Sequence, residues 1–296
     1  MHKVYLHIGY PKTGTTWFQE KLYPEVKDIA FYNPNAVRKI LGDFGNRNAP
    51  ELIQEKIAKH NKPIVLCNEN MIGGPKKCQQ NAEFYNRTFP SATVILFLRN
   101  QVNKYASNYN QYVKSGGTLS IQDYLFLDGN HELVGGERHK YDKLLNIYKA
   151  AFGAERVHVY LYEDFSANPQ QFMQQFLQRY EFKVDKAVSF QLVNRSLSKN
   201  LLSIKRLTNR FTKLQAEWLK SRNYKKKYFL HIPYWHQFSY YLFQFLSYFS
   251  KANSNITKQT LGKENIKIIA EYFKASNQAL IEKHGLHKIK DYNYPL

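Results

Sequence analysis

The sequence predicts an α/β fold of three layers, in which helices cover both faces of a central parallel sheet. Short runs of aliphatic and β-branched residues alternate with helical patterns along the chain, which is typical of parallel strands joined by crossover helices. The first run leads directly into a glycine-containing loop and then into a helix. Because 296 residues suffice for one large domain with a buried core, we expect residues 1–296 to form a single domain.

The alternation rests on four predicted strands and seven predicted helices. The strands are predicted at Lys3–Ile8, Pro63–Cys67, Ala92–Leu98 and Arg156–Leu161. The helices are predicted at Thr15–Tyr23, Pro50–His60, Gln101–Ser115, Ser120–Leu127, Tyr141–Phe152, Pro169–Tyr180 and Gly262–His284. The last helix has the clearest apolar stripe, and we expect that stripe to face the core. The residues of the stripe are Ile266, Ile269, Ala270, Phe273, Asn277 and Leu280.

The charge balance of the chain is unusual for a globular protein. The sequence has 43 Lys and Arg residues against 23 Asp and Glu residues, a formal net charge of +20, and 16% of its residues are aromatic. Such an excess favours a polyanionic partner, such as an acidic substrate or an anionic membrane surface. A lysine-rich surface that only aids solubility explains it as well. We do not expect nucleic acid as a partner.

Two cysteines, Cys67 and Cys78, are too few for a disulfide framework and lack the spacing of metal ligands. We therefore expect a reducing compartment and no bound metal. The strand pattern begins at residue 3, which leaves no room for a signal peptide, and no apolar run is long enough to span a membrane. These patterns predict a cytoplasmic protein, with peripheral attachment to the inner face of the membrane as an alternative.

A segment of about residues 198–255 differs in composition from the rest and is predicted to be an inserted helical subdomain. Leu201–Leu219 is basic and helical in pattern, three consecutive lysines occupy 225–227, and Tyr228–Ser250 is dense in aromatic residues. Basic residues beside an aromatic helix favour a membrane interface. A helix with aromatic residues on every face is more typical of a buried helix or a dimer contact, and we expect burial.

The loop after the first strand has the sequence GYPKTGTTW, from Gly9 to Trp17. Its two glycines have the spacing of a phosphate-binding P-loop, but Thr15 occupies the position of the usual lysine and the lysine, Lys12, lies inside the loop. Backbone N–H groups and a helix N-terminus converge on an anion in such a loop. A lysine at position 12 is suited to stabilising a phosphate oxygen that gains charge as its outer group departs.

This loop resembles the cofactor loop of sulfotransferases that use 3′-phosphoadenosine 5′-phosphosulfate (PAPS). The resemblance is to the bacterial and carbohydrate-type members of that family. The resemblance implies a P-loop NTPase-like fold and PAPS as the co-substrate. It also implies that the loop residues hold the 5′ phosphosulfate. Those residues are Pro11, Lys12, Thr13, Gly14, Thr15, Thr16 and Trp17.

A second phosphate site is predicted where the third strand ends. Arg99 follows that strand, and Ser107 lies about two turns along the next helix. The carboxyl edge of a parallel sheet is where α/β folds bind ligands, and an arginine with a hydroxyl suits a phosphate. Sulfotransferases have an arginine and a serine at this spacing for the 3′ phosphate. An arginine at this position alone is also consistent with a structural ion pair.

A carboxylate follows the second predicted strand, in the sequence CNEN. Glu69 is therefore predicted to lie beside the phosphate loop, where it can take a proton from an attacking hydroxyl. The resemblance implies the same role, since glycan and bacterial sulfotransferases have a glutamate base in this segment. The alternative is a glutamate that caps the turn. Three histidines, His7, His131 and His139, are further candidates for the base.

Two weaker patterns follow. Glu163 and Asp164 lie in a segment, YLYEDF, that resembles a mainly structural turn of the family. The segment VNRSLSKN resembles a late family loop near the cofactor, which implies that Arg195, Ser196 and Ser198 contact or cover the 3′ phosphate.

Together these patterns predict an enzyme that moves a sulfuryl group from PAPS to an acceptor hydroxyl, with Lys12 and Glu69 as the catalytic residues. The cationic excess and the aromatic residues favour a glycan acceptor, either an acidic polysaccharide or a lipid-linked saccharide. Two alternatives stay open. One is a P-loop kinase that uses ATP and Mg²⁺ with Asp164 beside the metal, and the other is a non-catalytic protein that binds polyanions or membrane surfaces.

Overall fold

The computed structural model describes residues 3–43, 46–126, 133–185, 188–190, 197–211, 234–249 and 256–296. The chain divides into two compact units. The first comprises Met1–Arg99, Glu137–Val193 and Ser276–Asn293, and the second comprises Asn100–Gly136, Asn194–Ala275 and Tyr294–Leu296. The second unit contains the whole of the basic and aromatic segment 198–255. That residues 1–296 form one domain stays a prediction.

Seven strands form two sheets. They are β1 (Val4–Gly9), β2 (Ala30–Tyr32), β3 (Gly42–Asp43), β4 (Asn46–Arg47), β5 (Ile64–Cys67), β6 (Thr93–Leu98) and β7 (Val157–Leu161). Five strands pair in an all-parallel sheet in the order β2-β5-β1-β6-β7, and β3 pairs with β4 in a small antiparallel hairpin. All four predicted strands are confirmed, to within one residue at each end. Strand β2 was not predicted because it is a three-residue edge strand with too short an apolar pattern.

Twelve helices lie in the described parts of the chain. They are α1 (Thr15–Trp17), α2 (Pro34–Leu41), α3 (Pro50–Ile57), α4 (Pro75–Thr88), α5 (Gln101–Lys114), α6 (Ile121–Leu125), α7 (Tyr141–Phe152), α8 (Tyr162–Ala167), α9 (Pro169–Tyr180), α10 (Lys199–Thr208), α11 (Trp235–Phe249) and α12 (Ile256–His284). Helix α1 continues as one wider π-helical turn, Phe18–Leu22. Within the described residues, no helix is long and apolar enough to cross a membrane.

The seven predicted helices are confirmed, α10 and α11 lie in the segment predicted to be helical, and three further helices, α2, α4 and α8, were not predicted. Helix α2 begins at Asn33, whose side chain accepts a hydrogen bond from the backbone N–H of Ala36, and at Pro34, which favours the first helical position. Helix α4 begins with Pro75 but is largely polar, so its sequence lacks the apolar stripe that prediction depends on. Helix α12 begins earlier than predicted and bends at Gly262, which has a φ of 79°.

Both faces of the large sheet are buried in the first unit, which confirms the predicted three layers. One face carries an aromatic core in which Tyr5 and Phe97 of the strands pack with Phe18, Phe172 and Phe176. The side chains that alternate with these point to the other face, where α7 packs on β6 and β7 and α4 packs on α7. Helices that connect parallel strands lie on the faces of the sheet, so both faces of a parallel sheet are usually buried.

The second unit has its own core. In this core Leu197, which lies just before α10, is hydrogen-bonded to α5. The side-chain amide of Asn110 donates to the carbonyl oxygen of Leu197 at 3.1 Å and accepts from its N–H at 3.2 Å. Asn209 donates to the carbonyl oxygens of Val113 and Gly117. In α12 the predicted stripe is confirmed: its members are buried or partly buried, and they are Ile266, Ile269, Ala270, Phe273, Asn277 and Leu280.

Candidate active site

The loop between β1 and α1 is strongly curved. Lys12 and Gly14 both have left-handed backbone conformations, with φ of 70° and 85°. Thr13 lies between them and is fully buried; its hydroxyl donates to the carbonyl oxygen of Tyr10 at 2.7 Å and lies 3.3 Å from Oγ1 of Thr15. The side chain of Thr13 therefore holds the loop in shape. Where left-handed and right-handed backbone conformations alternate, successive backbone N–H groups point toward the same place. Together they form a concave site that binds an anion.

The first helix begins where the loop ends. Gly14 is its N-cap residue and has no side chain to cover the helix N-terminus, whose partial positive charge favours an anion. A Cβ atom on Gly14 would lie 3.3 Å from the ring of Phe165 and 3.4 Å from the ring of Tyr162. The close rings and the positive φ together explain why glycine is needed here.

The remaining loop residues lie at different depths. Pro11 and Thr16 are half-buried, and Thr15 is buried. Trp17 is also buried, where its indole N–H donates to the carbonyl oxygen of Ser189 at 2.9 Å and its ring stacks on Phe190. Trp17 therefore anchors the helix in the aromatic core.

Arg99 connects the end of β6 to this loop. Its Nη1 donates to the carbonyl oxygen of Lys12 at 2.7 Å, and its guanidinium lies 4.3 Å from the ring centre of Tyr162, within cation–π distance. The hydroxyl of Tyr141 donates to the carbonyl oxygen of Arg99 at 2.8 Å. Nε of Arg99 is buried and has no hydrogen-bond partner among the residues that the structure describes. The arginine is thus held on the loop with one donor still available.

Lys12 feels the charges of both Glu69 and Arg99. Burial lowers the pKa of the Lys12 ammonium, the Glu69 carboxylate opposes this effect, and the Arg99 guanidinium adds to it. The three residues follow β1, β5 and β6, which are neighbours in the sheet, with His7 paired to Cys67 and Gly9 paired to Phe97. The sheet therefore brings together three of the residues singled out by the sequence.

Glu69 begins a short 3₁₀ turn, Glu69–Ile72, directly after β5. The residue that caps this turn is Asn68, whose side-chain oxygen accepts a hydrogen bond from the N–H of Asn70 at 2.8 Å. Asn68 therefore caps this turn, and the role of Glu69 as base stays a prediction. Glu69 itself is half-buried.

The three histidines differ from Glu69 in their surroundings. His7 is fully buried, stacks on Phe97 and is hydrogen-bonded through Nδ1 to the hydroxyl of Tyr23 at 2.7 Å, and burial lowers its pKa to about 3. His139 is buried beside the rings of Tyr10 and Tyr141. His131 lies outside the described residues. Among the three candidate bases that the structure describes, Glu69 is the one whose charge raises the pKa of Lys12.

The remaining predicted ligands of the nucleotide belong to the second unit. Ser107 lies in α5, one turn before Asn110, and is half-buried. Ser198 precedes α10 and lines a cleft of about 280 Å³ with Lys199, Asn200 and Gln259. Because Asn110 binds the backbone of Leu197, Ser107 and Ser198 belong to the same pair of packed segments. Arg195 and Ser196 lie outside the described residues.

Asp164 is engaged by the C-terminal part of the chain. Its Oδ1 accepts hydrogen bonds from Nζ of Lys288, at 2.6 Å, and from the hydroxyl of Tyr292. Glu163 lies beside it in the first turn of α8 and is half-buried. These contacts support the structural role predicted for this turn. They also engage the carboxylate that the kinase alternative requires beside Mg²⁺.

Sequence reasoning missed three aromatic residues that build the site. Tyr162 supports the guanidinium of Arg99, Phe165 packs against Gly14, and Tyr141 binds the backbone of Arg99. Two of them lie in the segment YLYEDF that the sequence analysis treated as structural. Their position after β7, the strand beside β6, was the available signal, because parallel strands end at one edge of the sheet.

These features fit a ligand with two phosphate-type groups. The curved loop and the helix N-terminus provide N–H donors for one anion, and Lys12 adds a positive charge beside it. Arg99 provides a buried Nε donor that lacks a partner within the described chain. Arginine is well suited to phosphate because its planar group presents several donors.

Comparisons with known proteins agree with this geometry. The sulfotransferase domain family matches residues 4–228. A sulfotransferase from Alicyclobacillus acidocaldarius has a similar fold, with a TM-score of 0.50 and 17% identity over 66% of this chain and 87% of that one. Mouse sulfotransferase SULT7A1 complexed with PAP is 14% identical over 93% of this chain and 84% of that one, with a TM-score of 0.47.

The sulfotransferase domain from the curacin biosynthetic pathway is 14% identical over 62% of this chain and 76% of that one, with a TM-score of 0.40. A comparison with curated proteins gives no significant match. The family match covers most of the chain, including the phosphate loop, Glu69 and Arg99. The chain therefore belongs to the sulfotransferase domain family and is a PAPS-dependent transferase.

Proposed function

We propose that this enzyme transfers a sulfuryl group from PAPS to a hydroxyl group of a glycan, with Lys12 and Glu69 as the catalytic residues. The observation that carries the proposal is the position of Lys12, Glu69 and Arg99 directly after three adjacent strands, with Arg99 hydrogen-bonded to the backbone of Lys12. Ligands of open parallel sheets bind outside the carboxyl ends of the strands, beside the point where the strand order reverses. Strand β1, which leads into the phosphate loop, is at that point.

Lys12 and the loop hold the 5′ phosphosulfate in this proposal. Bound PAPS supplies the sulfuryl group and a phosphate as the leaving group. The ammonium of Lys12 stabilises the negative charge that develops on the departing phosphate oxygen, and the N–H groups of the loop hold the phosphate in place. Burial of Lys12 strengthens this interaction, because charges interact more strongly where water is excluded.

Glu69 acts as the general base. It takes the proton of the acceptor hydroxyl as the acceptor oxygen bonds to sulfur and the bond between sulfur and the phosphate oxygen breaks. A carboxylate directly after a strand that neighbours the phosphate loop is suited to this role, because it can take a proton from a hydroxyl bound outside the carboxyl edge of the sheet.

The 3′ phosphate is assigned in this proposal to Arg99, Ser107 and the segment that holds Arg195, Ser196 and Ser198. The buried and unpartnered Nε of Arg99 within the described chain supports the assignment. Two further features support a glycan acceptor, either an acidic polysaccharide or a lipid-linked saccharide. They are the net charge of +20 and a cleft of about 160 Å³ in the second unit that includes Lys199, Arg206 and Tyr109.

The experiment that tests the base is Glu69→Gln, with Glu83→Gln, an exposed glutamate in α4, as the matched control. We expect Glu69→Gln to lower turnover by about 10²- to 10⁴-fold. Titration calorimetry at neutral pH, where Lys12 is protonated in both proteins, should show unchanged affinity for 3′-phosphoadenosine 5′-phosphate (PAP), and Glu83→Gln should behave as wild type. Near-normal turnover of Glu69→Gln would overturn the assignment, and so would a parallel loss of PAP binding.

Substrate class is tested with an array of acceptors and radiolabelled PAPS. We expect label to enter acidic or lipid-linked saccharides more efficiently than phenols, tyrosyl peptides or small alcohols. Preferential labelling of a phenol would contradict the proposal that the acceptor is a glycan. Tight binding of PAP with no response to ATP and Mg²⁺ excludes the kinase, and turnover of PAPS excludes a purely binding role.

A further inference from the structure

Helix α11 has one anchored face and one exposed aromatic face. The exposed face, which we call the aromatic stripe, consists of Tyr234, Phe238, Tyr241, Leu242 and Phe245, with exposed fractions of 78%, 57%, 68%, 37% and 60%. Tyr234 directly precedes the helix, and at 3.6 residues per turn the four members within the helix fall in an arc of about 100°. The sequence-based expectation that this segment is buried is therefore wrong for the stripe.

The opposite face of α11 is fixed to the rest of the second unit. Ser239 and Phe243 are buried there, and Nζ of the buried Lys205 donates to Oγ of Ser239 at 2.8 Å and lies 5.6 Å from the ring centre of Phe243. The indole N–H of Trp235 donates to the carbonyl oxygen of Thr208 at 2.9 Å. Because the inner face is held by these contacts, the orientation of the aromatic stripe is set by the fold.

The chemistry of the stripe is that of a membrane interface. Exposed apolar surface of this extent on one helix marks an interaction site. The helix, WHQFSYYLFQFLSYF, contains no Asp, Glu, Lys or Arg. Aromatic rings, and those of tyrosine in particular, are enriched at the boundary between lipid headgroups and acyl chains. A helix of 15 residues is about 22 Å long, which is shorter than the apolar core of a bilayer, so it is suited to lying in the interface.

The charge of the surrounding sequence identifies the kind of surface. Residues 186–263 contain 15 Lys and Arg residues and a single acidic residue, Glu217. Among the described ones, Lys199, Lys258 and Lys263 are exposed. Each cation near an anionic bilayer contributes about fivefold to affinity. In a pairing of two copies through this helix, the two cationic regions would repel each other, which disfavours a second copy as the partner.

We propose that α11 docks the enzyme on an anionic lipid bilayer, with the aromatic stripe at the boundary of headgroups and acyl chains and with exposed lysines of the second unit, such as Lys199, Lys258 and Lys263, attracted to the headgroups. The docking does not depend on the chemistry at Lys12 and Glu69. It does extend the proposed function, because an enzyme on the bilayer meets saccharides that are attached to lipid.

The test is flotation of the full chain with vesicles of phosphatidylcholine, with or without about one third phosphatidylglycerol. We expect binding to the anionic vesicles and not to the neutral ones, and loss of binding as NaCl rises from about 0.1 M to about 1 M. The variant F238S/Y241S should lose at least about tenfold in affinity. Leu52→Ser, which removes an exposed leucine of α3, is the matched control and should bind as wild type.

A second measurement does not depend on removing the stripe. Cys67 and Cys78 are both buried, so an environment-sensitive fluorophore can be attached selectively to Tyr241→Cys, with Leu52→Cys as the control. We expect a blue shift on anionic vesicles for the label at 241 and none for the label at 52. Equal shifts at both positions overturn the proposal.

Equal binding to neutral and anionic vesicles also overturns the proposal, and so does unchanged binding of F238S/Y241S. A third contrary outcome is a wild-type dimer in sedimentation that F238S/Y241S dissociates, with no binding of the wild type to vesicles. PAP titration of the same preparations keeps the two proposals apart. A protein that binds vesicles but not PAP contradicts the proposed function alone, and one that binds PAP but not vesicles contradicts the docking alone.

Discussion

The guanidinium of Arg99 donates a hydrogen bond to the carbonyl oxygen of Lys12 at 2.7 Å and thereby connects the end of β6 to the phosphate loop after β1. The bond spans two neighbouring strands of the sheet. It holds Lys12 in its left-handed conformation, which a non-glycine residue adopts at an energetic cost. The same arginine is proposed to bind the 3′ phosphate, so the loop and the second phosphate site are mechanically linked.

Replacing Arg99 should therefore weaken nucleotide binding even when the positive charge is kept. We expect Arg99→Lys, which keeps the charge but loses the planar group, to lower PAP affinity by about tenfold or more. Tyr162→Leu should lower it by less, because it removes the ring under the guanidinium. Tyr162→Phe is the matched control, since it keeps the ring, and should bind as wild type. Calorimetric titration with PAP measures all three, and wild-type affinity of Arg99→Lys would contradict this role.

The lowered pKa of Lys12 predicts an alkaline limb in the pH profile. Deprotonation removes the charge that stabilises the departing phosphate oxygen, so turnover should fall as pH rises through the pKa of Lys12, which lies below the ordinary lysine value. Lys12→Arg keeps its charge and should lose this limb, at a reduced maximal rate. In Glu69→Gln the opposing carboxylate is gone, so the pKa of Lys12 should fall further and the alkaline loss of PAP affinity should move to lower pH. An identical limb in Lys12→Arg would assign it to another group.

Gly14→Ala should destabilise the protein and impair PAP binding. The substitution forces alanine into a left-handed conformation, at a cost of about 1–2 kcal/mol, and brings its Cβ to 3.3 Å from the ring of Phe165. Gly135→Ala is a matched control, because Gly135 also has a positive φ, of 65°, but has open space around it. We expect urea unfolding to show a larger loss for Gly14→Ala, and only Gly14→Ala to lose PAP affinity. Equal losses in the two variants would mean that the rings contribute nothing.

His7 predicts a specific sensitivity of the fold to acid. Its pKa is about 3 in the folded protein, because it is buried, and about 6.5 in the unfolded chain. Between these values the unfolded chain binds one more proton, so the free energy of unfolding should fall by about 1.4 kcal/mol for each pH unit below 6.5, or about 5 kcal/mol in total. Above pH 6.5 the effect is absent.

The variant H7F/Y23F isolates this contribution. It keeps the stacked ring and removes both partners of the hydrogen bond between His7 and Tyr23, so no buried hydroxyl is left without a partner. Urea unfolding at pH 7 and at pH 5 should show a smaller loss of stability on acidification than in wild type, and Tyr23→Phe alone should keep the wild-type loss. The same loss in H7F/Y23F and wild type would show that His7 does not cause it.

Much of the fold was predictable because its signals are local. The four predicted strands, which are four to six mainly apolar residues long, and helices such as α7 and α9 are encoded by hydrophobic patterns and by proline or glycine at their ends. The edge strand β2 and the polar helix α4 lack such a pattern, so they depend on the elements that they pack against. The left-handed conformation of Lys12 has no sequence signature at all, since lysine does not favour it.

By itself the sequence determined the phosphate loop between a strand and a helix, the arginine at a strand end and the glutamate after another strand, because chain spacing fixes these relations. Only the tertiary structure decided that Arg99 binds the backbone of Lys12, that Asn68 and not Glu69 caps the turn, and that Asp164 is held by Lys288 and Tyr292.

The tertiary structure also decided which face of α11 is exposed. The physical reason is common to all these cases. Such contacts join residues far apart in the chain or select among equally polar neighbours. Strand order and packing of the folded chain determine them, and no local pattern in the sequence does.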